Sequence, residues 1–257
     1  LSNENNKLGM VVYGVLASMT SETAVVDQTW WNKISKQYRV VSAASLASSA
    51  LFNQNKTCVE QMYFYNDDDG RSSFVNFMKT YKNQPVWRIE DRNSYVRIYS
   101  INQHSVEILA NKPEYESNGI SSITAYLQQN KLSPSVIVHR GHSFHTETTL
   151  EKVPSSAKLI FVGSCGGFYK QSAAIENAPD AHIISTKQIG TKGINDVLLF
   201  ALNENIREGR DISWNDFWDK MQTKFGNNHY FSDYVPPHKN LESIYIKAYY
   251  TFLGINN

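Results

Sequence analysis

The chain holds 257 residues, enough for one good-sized core or for an α/β domain with a small appendage. Its 25 basic residues nearly balance 24 acidic ones, so a net charge of +1 offers no basic surface for nucleic acid or an anionic membrane. No apolar run approaches the ~20 residues that span a bilayer, and two cysteines cannot build a disulfide framework. No basic, apolar leader opens the chain, which starts at Leu1 rather than Met. A processed product that has lost an upstream signal or domain is the expectation, and the compartment stays open.

Residues 1–57 read as a helical N-terminal extension. Apolar residues in Leu8–Met19 recur at helical spacing, Ser21-Glu-Thr-Ala has the form of a helix start, and Ser42–Phe52 is rich in the small residues that pack helices closely. From residue 58 to 257 the pattern becomes that of an α/β domain. Glu60–Tyr65 reads as a strand, and Asn66-Asp-Asp-Asp-Gly70 as the turn that ends it. Phe74, Phe77, Met78 and Tyr81 then follow at i, i+3, i+4 and i+7, which predicts a helix capped by Ser72 or Ser73. Val86–Glu90, Tyr95–Ile101 and Val106–Ala110, divided by short polar turns, form an expected antiparallel meander. A helical face of Ile120, Ile123, Tyr126 and Leu127 closes at Ser133-Pro134.

Two short apolar runs come next, Val136–Val138 and Leu159–Val162, each ending in a polar turn that bears glycine. Beyond them the pattern predicts a helix from about Tyr169 to Asn177, a strand at Ala181–Thr186, and helices at Val197–Ile206 and Ser213–Phe225, the last capped by Ser213. Asn227–Asn240 with its two prolines is irregular, and Leu241–Phe252 fits a helix or a strand. Strands alternating with helices predict a three-layer α/β sandwich with a mostly parallel central sheet, the meander and the helical extension.

Loops at the carboxyl ends of neighbouring parallel strands open on one edge of a sheet, where ligands bind. If Val136–Val138 and Leu159–Val162 are such neighbours, the turn His139-Arg-Gly-His-Ser143 meets the turn Gly163-Ser-Cys-Gly-Gly167. An ordinary thiol has a pKa of about 8.5, and a nearby imidazole or helix start favours its reactive thiolate. Cys165 has both in this arrangement, and the adjacent glycines let a substrate carbonyl approach the backbone.

A hydrophobic strand ending in Gly141-His142, followed by a second ending in Gly163-Ser-Cys165, resembles the caspase-like cysteine peptidases, the group of caspases, metacaspases, gingipains, clostripain, legumains and separases. The resemblance covers about Val59 to Phe225. It implies a caspase-like sandwich and a cysteine endopeptidase acting on a peptide or protein substrate without a cofactor. It makes Cys165 the nucleophile and His142 the general acid and base, with His139 as the alternative. In most of that group a glycine follows the histidine, where this chain has Ser143. Gly141, Ser143 and Gly166 are the expected oxyanion neighbours. Lys187 and Gln188, after the next strand, are expected near the cleft by topology, and Asp67, Asp68 and Asp69 offer an acidic S1 pocket. Two other readings stand beside this one: an inactive caspase-like binding or scaffold module, and a metal-binding protein built on His139, His142 and His145. The latter needs a loop to converge the three, and no metal ligand set is assigned.

Overall fold

The computed structural model describes residues 43–101 and 104–253, together with Gly9 and Lys36. Most of the expected helical extension therefore lies outside the described residues. Its last part, from 43 to 57, holds a two-residue strand β1 (Ser45–Leu46) and a single 3-10 turn (Ser48–Ala50) rather than a helix. Leu46 and Leu51 join the main core from there.

From β2 onward the longer elements follow in the order expected from the apolar pattern, with two short strands added, Ile212–Ser213 and, inside the stretch read as irregular, Tyr234–Val235. They are β2 (Thr57–Phe64), α1 (Asp68–Lys82), β3 (Trp87–Asp91), β4 (Tyr95–Ser100), β5 (Ser105–Asn111), α2 (Glu116–Asn130), β6 (Val136–Arg140), α3 (Thr146–Leu150) and β7 (Leu159–Val162). The chain continues through α4 (Ser172–Asn177), β8 (His182–Thr186), α5 (Lys192–Arg207), β9 (Ile212–Ser213), α6 (Trp214–Phe225), β10 (Tyr234–Val235) and α7 (Leu241–Leu253). The last segment, open between helix and strand on pattern alone, is helical. The cap of α1 is not Ser72 or Ser73 but Asp67, whose carboxylate accepts the Gly70 N–H at 2.6 Å. Ser213 does cap α6, accepting from the Asp216 N–H at 3.4 Å.

Among the described residues eight strands make one sheet in the order β10-β8-β7-β6-β2-β5-β4-β3, while β1 and β9 form a separate antiparallel pair. Strands β5, β2, β6, β7 and β8 run parallel; β4, β3 and β10 are antiparallel to their neighbours. The chain leaves β2 toward β5 on one side and then crosses to β6 on the other. This reversal beside β2 is the place where a parallel sheet opens a crevice at its carboxyl edge.

Both faces of the parallel strands are covered, which is why β2 and β6 read as nearly unbroken buried runs. On one face Met62, Phe64, Val136 and Val138 pack with Phe77 of α1, Leu198 and Leu202 of α5, and Trp214 and Phe217 of α6. On the other, Tyr63, Tyr65, Ile137 and Ile160 pack with Leu150 of α3 and Ile175 of α4, while Val59 and Leu109 meet Ile123 and Leu127 of α2. The result is helix, sheet and helix in three layers. Because successive strand residues face opposite ways, His139 and Arg140 at the end of β6 enter different layers. Among the described residues no helix is long and apolar enough to cross a membrane.

Candidate active site

Strands β6 and β7 are parallel neighbours, with His139 level with Val162. The two turns that follow them therefore leave the sheet side by side. A cleft of about 180 Å³ opens there; His142, Cys165, Asp69, Arg140, Lys192 and Asn195 are among the residues that line it. The reversal of strand order beside β2 adds a third contributor, bringing Asp69, which follows β2, against the histidine turn after β6.

The cysteine turn is built for exposure. Ser164 is buried, its hydroxyl 3.0 Å from Thr146 Oγ1 and its carbonyl taken by the Thr186 hydroxyl. Gly166 then adopts φ +68°, a left-handed conformation that an L side chain rarely accepts, and its N–H donates to the Gln188 carbonyl at 3.0 Å. Between these two fixed residues Cys165 projects as an exposed free thiol.

Each of the three histidines has a different setting. His139 is buried, and both its ring nitrogens are engaged, Nδ1 with Thr149 Oγ1 at 2.7 Å and Nε2 with the His142 carbonyl at 3.2 Å. Burial pushes its pKa down to about 4, so it stays neutral at physiological pH. His145 stacks on Tyr65 with ring centroids 4.1 Å apart and has Nε2 3.5 Å from Asp67. His142 remains half-exposed, with Nδ1 3.0 Å from Asp69 Oδ2 and its N–H donating to Asp67 Oδ2 at 3.1 Å. An imidazole held by a carboxylate at Nδ1 keeps Nε2 as the nitrogen for proton transfer. The histidine cluster does not converge: among the described residues no group of three or more His, Cys, Asp or Glu side chains is placed to share a metal ion.

The three aspartates also divide. Asp67 caps α1 and holds the histidine turn, Asp68 pairs with Arg71 in solvent, and only Asp69 reaches the cleft, where His142 engages it. Of the other residues expected at the site, Gly141 lines the cleft, whereas Ser143 begins the 3-10 turn beyond it. Lys187 places its ammonium 5.7 Å above the Phe168 ring, and Gln188 braces Gly166; neither lines the cleft. Gly190, Thr191 and Lys192, just downstream, line it instead.

A polar layer, only faintly marked in the sequence, lies below. Arg140 is 1 % exposed, pairs with Asp196 of α5, and lies 5.5 Å over the Phe64 ring. Near it Glu60 of β2 is fully buried, and among the described residues neither carboxyl oxygen has a partner in full hydrogen-bond geometry, the Asn203 amide being the nearby polar group. Burial raises its pKa to about 8, an effect the Asn203 amide and the Arg140 charge only temper. These residues were hidden inside apolar runs. The one signal was an Asn-Asp pair at the start of an otherwise apolar helix, Ile194-Asn-Asp-Val-Leu-Leu.

No protein-family model, curated protein or solved structure matches the chain. The functional reading therefore stands on the residues and their geometry.

Proposed function

We propose that the chain is a caspase-like cysteine endopeptidase with Cys165 as nucleophile and His142 as general acid and base. The observation that carries the reading is the shared cleft: an exposed thiol and a half-exposed imidazole, delivered by adjacent parallel strands, with a carboxylate on the far nitrogen of the imidazole. Asp69 takes the part of a positioning residue, fixing the ring and favouring the imidazolium once it forms.

In this mechanism the Cys165 thiolate adds to the scissile carbonyl carbon, and the carbonyl electron pair moves to oxygen. The Cys165 N–H has no backbone acceptor among the described residues and supports that oxyanion. Collapse breaks the C–N bond as His142 gives its Nε2 proton to the leaving amine. A water molecule, losing a proton to His142, then adds to the thioester and releases the acid and the thiol. No cofactor enters the scheme.

The test is cleavage of a mixed peptide library by the purified chain and by Cys165→Ala and His142→Ala, each checked for folding by circular dichroism. Both variants are expected to be folded and inactive. Cleavage that survives Cys165→Ala rules the mechanism out.

A further inference from the structure

Two consecutive residues in the first turns of α5 reach the two active-site turns separately. Asn195 Nδ2 donates to the Gly163 carbonyl at 3.0 Å, two residues before Cys165. Asp196 accepts from Arg140, two residues before His142, and also from Asn76 of α1, the helix that carries Asp69. One short stretch of helix therefore grips both strand ends.

The fit around Gly163 is close. A side chain there would overlap the Asn195 amide, and one at Gly190 would overlap the Gly163 carbonyl. The orientation of the amide is fixed as well: the Tyr234 hydroxyl donates to Asn195 Oδ1 at 2.6 Å and receives the Thr191 N–H at 2.9 Å. That leaves Nδ2 as the group facing Gly163. Helix packing alone does not ask for this, because a buried ion pair is commonly no more stabilising than apolar residues of the same size. The rest of the buried face of α5, including Ile194, Leu198, Leu199 and Leu202, is largely apolar. Asn203, whose amide donates to the Tyr81 hydroxyl at 2.9 Å, is the other buried polar group of that face; Asn195 and Asp196 are the pair that meets the two turns.

We propose that Asn195 and Asp196 are positioning residues, a clamp that sets the spacing between the His142 and Cys165 turns. Its catalytic consequence rests on the peptidase reading; its geometry does not. In His142→Cys, thiols at positions 142 and 165 sit on the same cleft, and dibromobimane, which needs both thiols for full reaction, reports their spacing without any turnover. Asn195→Ala removes one arm of the clamp, and Tyr234→Phe frees the amide while keeping the ring. The Asp196 arm is tested in Arg140→Met/Asp196→Leu, since Asp196→Asn alone would leave a buried cation without its counter-charge and be strongly destabilising.

Added to His142→Cys, each change is expected to slow cross-linking by about tenfold or more while the variant still melts cooperatively. In the chain with His142 present, Asn195→Ala and Tyr234→Phe are expected to lower kcat by roughly 10²-fold with KM nearly constant, as loss of alignment does. Unchanged cross-linking in all three folded variants overturns the clamp, whatever the peptidase result. Should Cys165 alkylation prove independent of His142 and no peptide be cleaved, the peptidase reading falls, and the cross-linking rates still decide the clamp.

Discussion

The central sheet carries one cysteine at each edge, and the two thiols stand in opposite settings. Cys58 sits at the amino end of β2, wholly buried, 3.5 Å from the Ser135 hydroxyl. Burial pushes its thiol up to about 12, against the small opposing effect of that hydroxyl and with the nearby Glu60 adding to the rise. Cys165 lies past the carboxyl end of β7, exposed, with a histidine turn beside it. Parallel strands deliver all their carboxyl-end turns to one edge, so only that edge collects several chemically active side chains from distant parts of the chain. The amino edge is free to be closed by packing, as Leu51 and Ser135 close it here.

Four experiments break or sharpen this contrast. The largest effect is expected at the cysteines. Cys165→Ala should lower peptide turnover on the order of 10⁴-fold or more, with an unchanged urea midpoint. Cys58→Ala should leave turnover intact and lower stability by about 1–2 kcal/mol through lost packing. Equal effects on turnover would erase the contrast between the edges.

Next come the histidines, which differ by three positions in sequence and by burial in the structure. His142→Ala is expected to cost about 10³-fold in turnover at little cost in stability. His139→Ala should show the reverse pattern, losing about 1–3 kcal/mol because Thr149 and the His142 carbonyl lose a buried partner. A His139→Ala variant that is stable yet inactive would transfer the catalytic role to His139.

A smaller effect is expected at the aspartates. Asp69→Asn should reduce kcat by roughly 10–100-fold with KM nearly constant, since it removes the partner of His142 Nδ1. Asp68→Asn, whose carboxylate faces solvent beside Arg71, should be silent in both measurements. If the two behave alike, Asp69 does not orient the ring.

The smallest effect is in the pH dependence of stability, followed by thermal melting from pH 4 to 9. Burial lowers His139 and His238 to about 4 and His182 to about 3, each from about 6.5. The unfolded chain therefore takes up protons first, and stability is lost as pH falls from about 6.5 through 4. Glu60 acts in the other sense: raised from about 4.5 to about 8, it holds its proton in the fold, so its share of stability is lost as pH rises across that interval. Glu60→Gln is expected to flatten the decline between pH 6.5 and 8. A decline of unchanged slope would mean that Glu60 is not the group responsible.

Much of the fold was readable because strand and helix periods are local. The meander, the two strands that end in His and Cys, and the face of α1 formed by Phe74, Phe77 and Tyr81 all follow from residues close in sequence. Their pairing as parallel neighbours was also inferable, since β6 and β7 are joined by a short crossover through α3. What did not show was whatever depends on distant partners. Asp69 could be seen as part of an acidic turn, but not that it meets His142, because that contact joins two strand ends 73 positions apart in numbering (142 − 69). Glu60 and Arg140 stand inside apolar runs, and nothing local says that both lie between the sheet and α5. The helix starts at Asp68, earlier than expected, so Ser72 and Ser73 fall inside it and Asp67, itself a favoured capping residue, takes the cap while also accepting the His142 N–H.

The outer borders of the sheet have a consequence of their own. At one border β10 offers only two residues and runs straight into Pro236-Pro237, which carry no N–H to continue a ladder. At the other, β3 holds Arg88, Glu90 and Asp91, charges that discourage an added strand. Many peptide-binding domains recruit an extended ligand as an extra strand on an open border. This sheet gives such a ligand little to hold at either side; under the proposed peptidase reading, a peptide would instead lie across the strand ends, over the cleft.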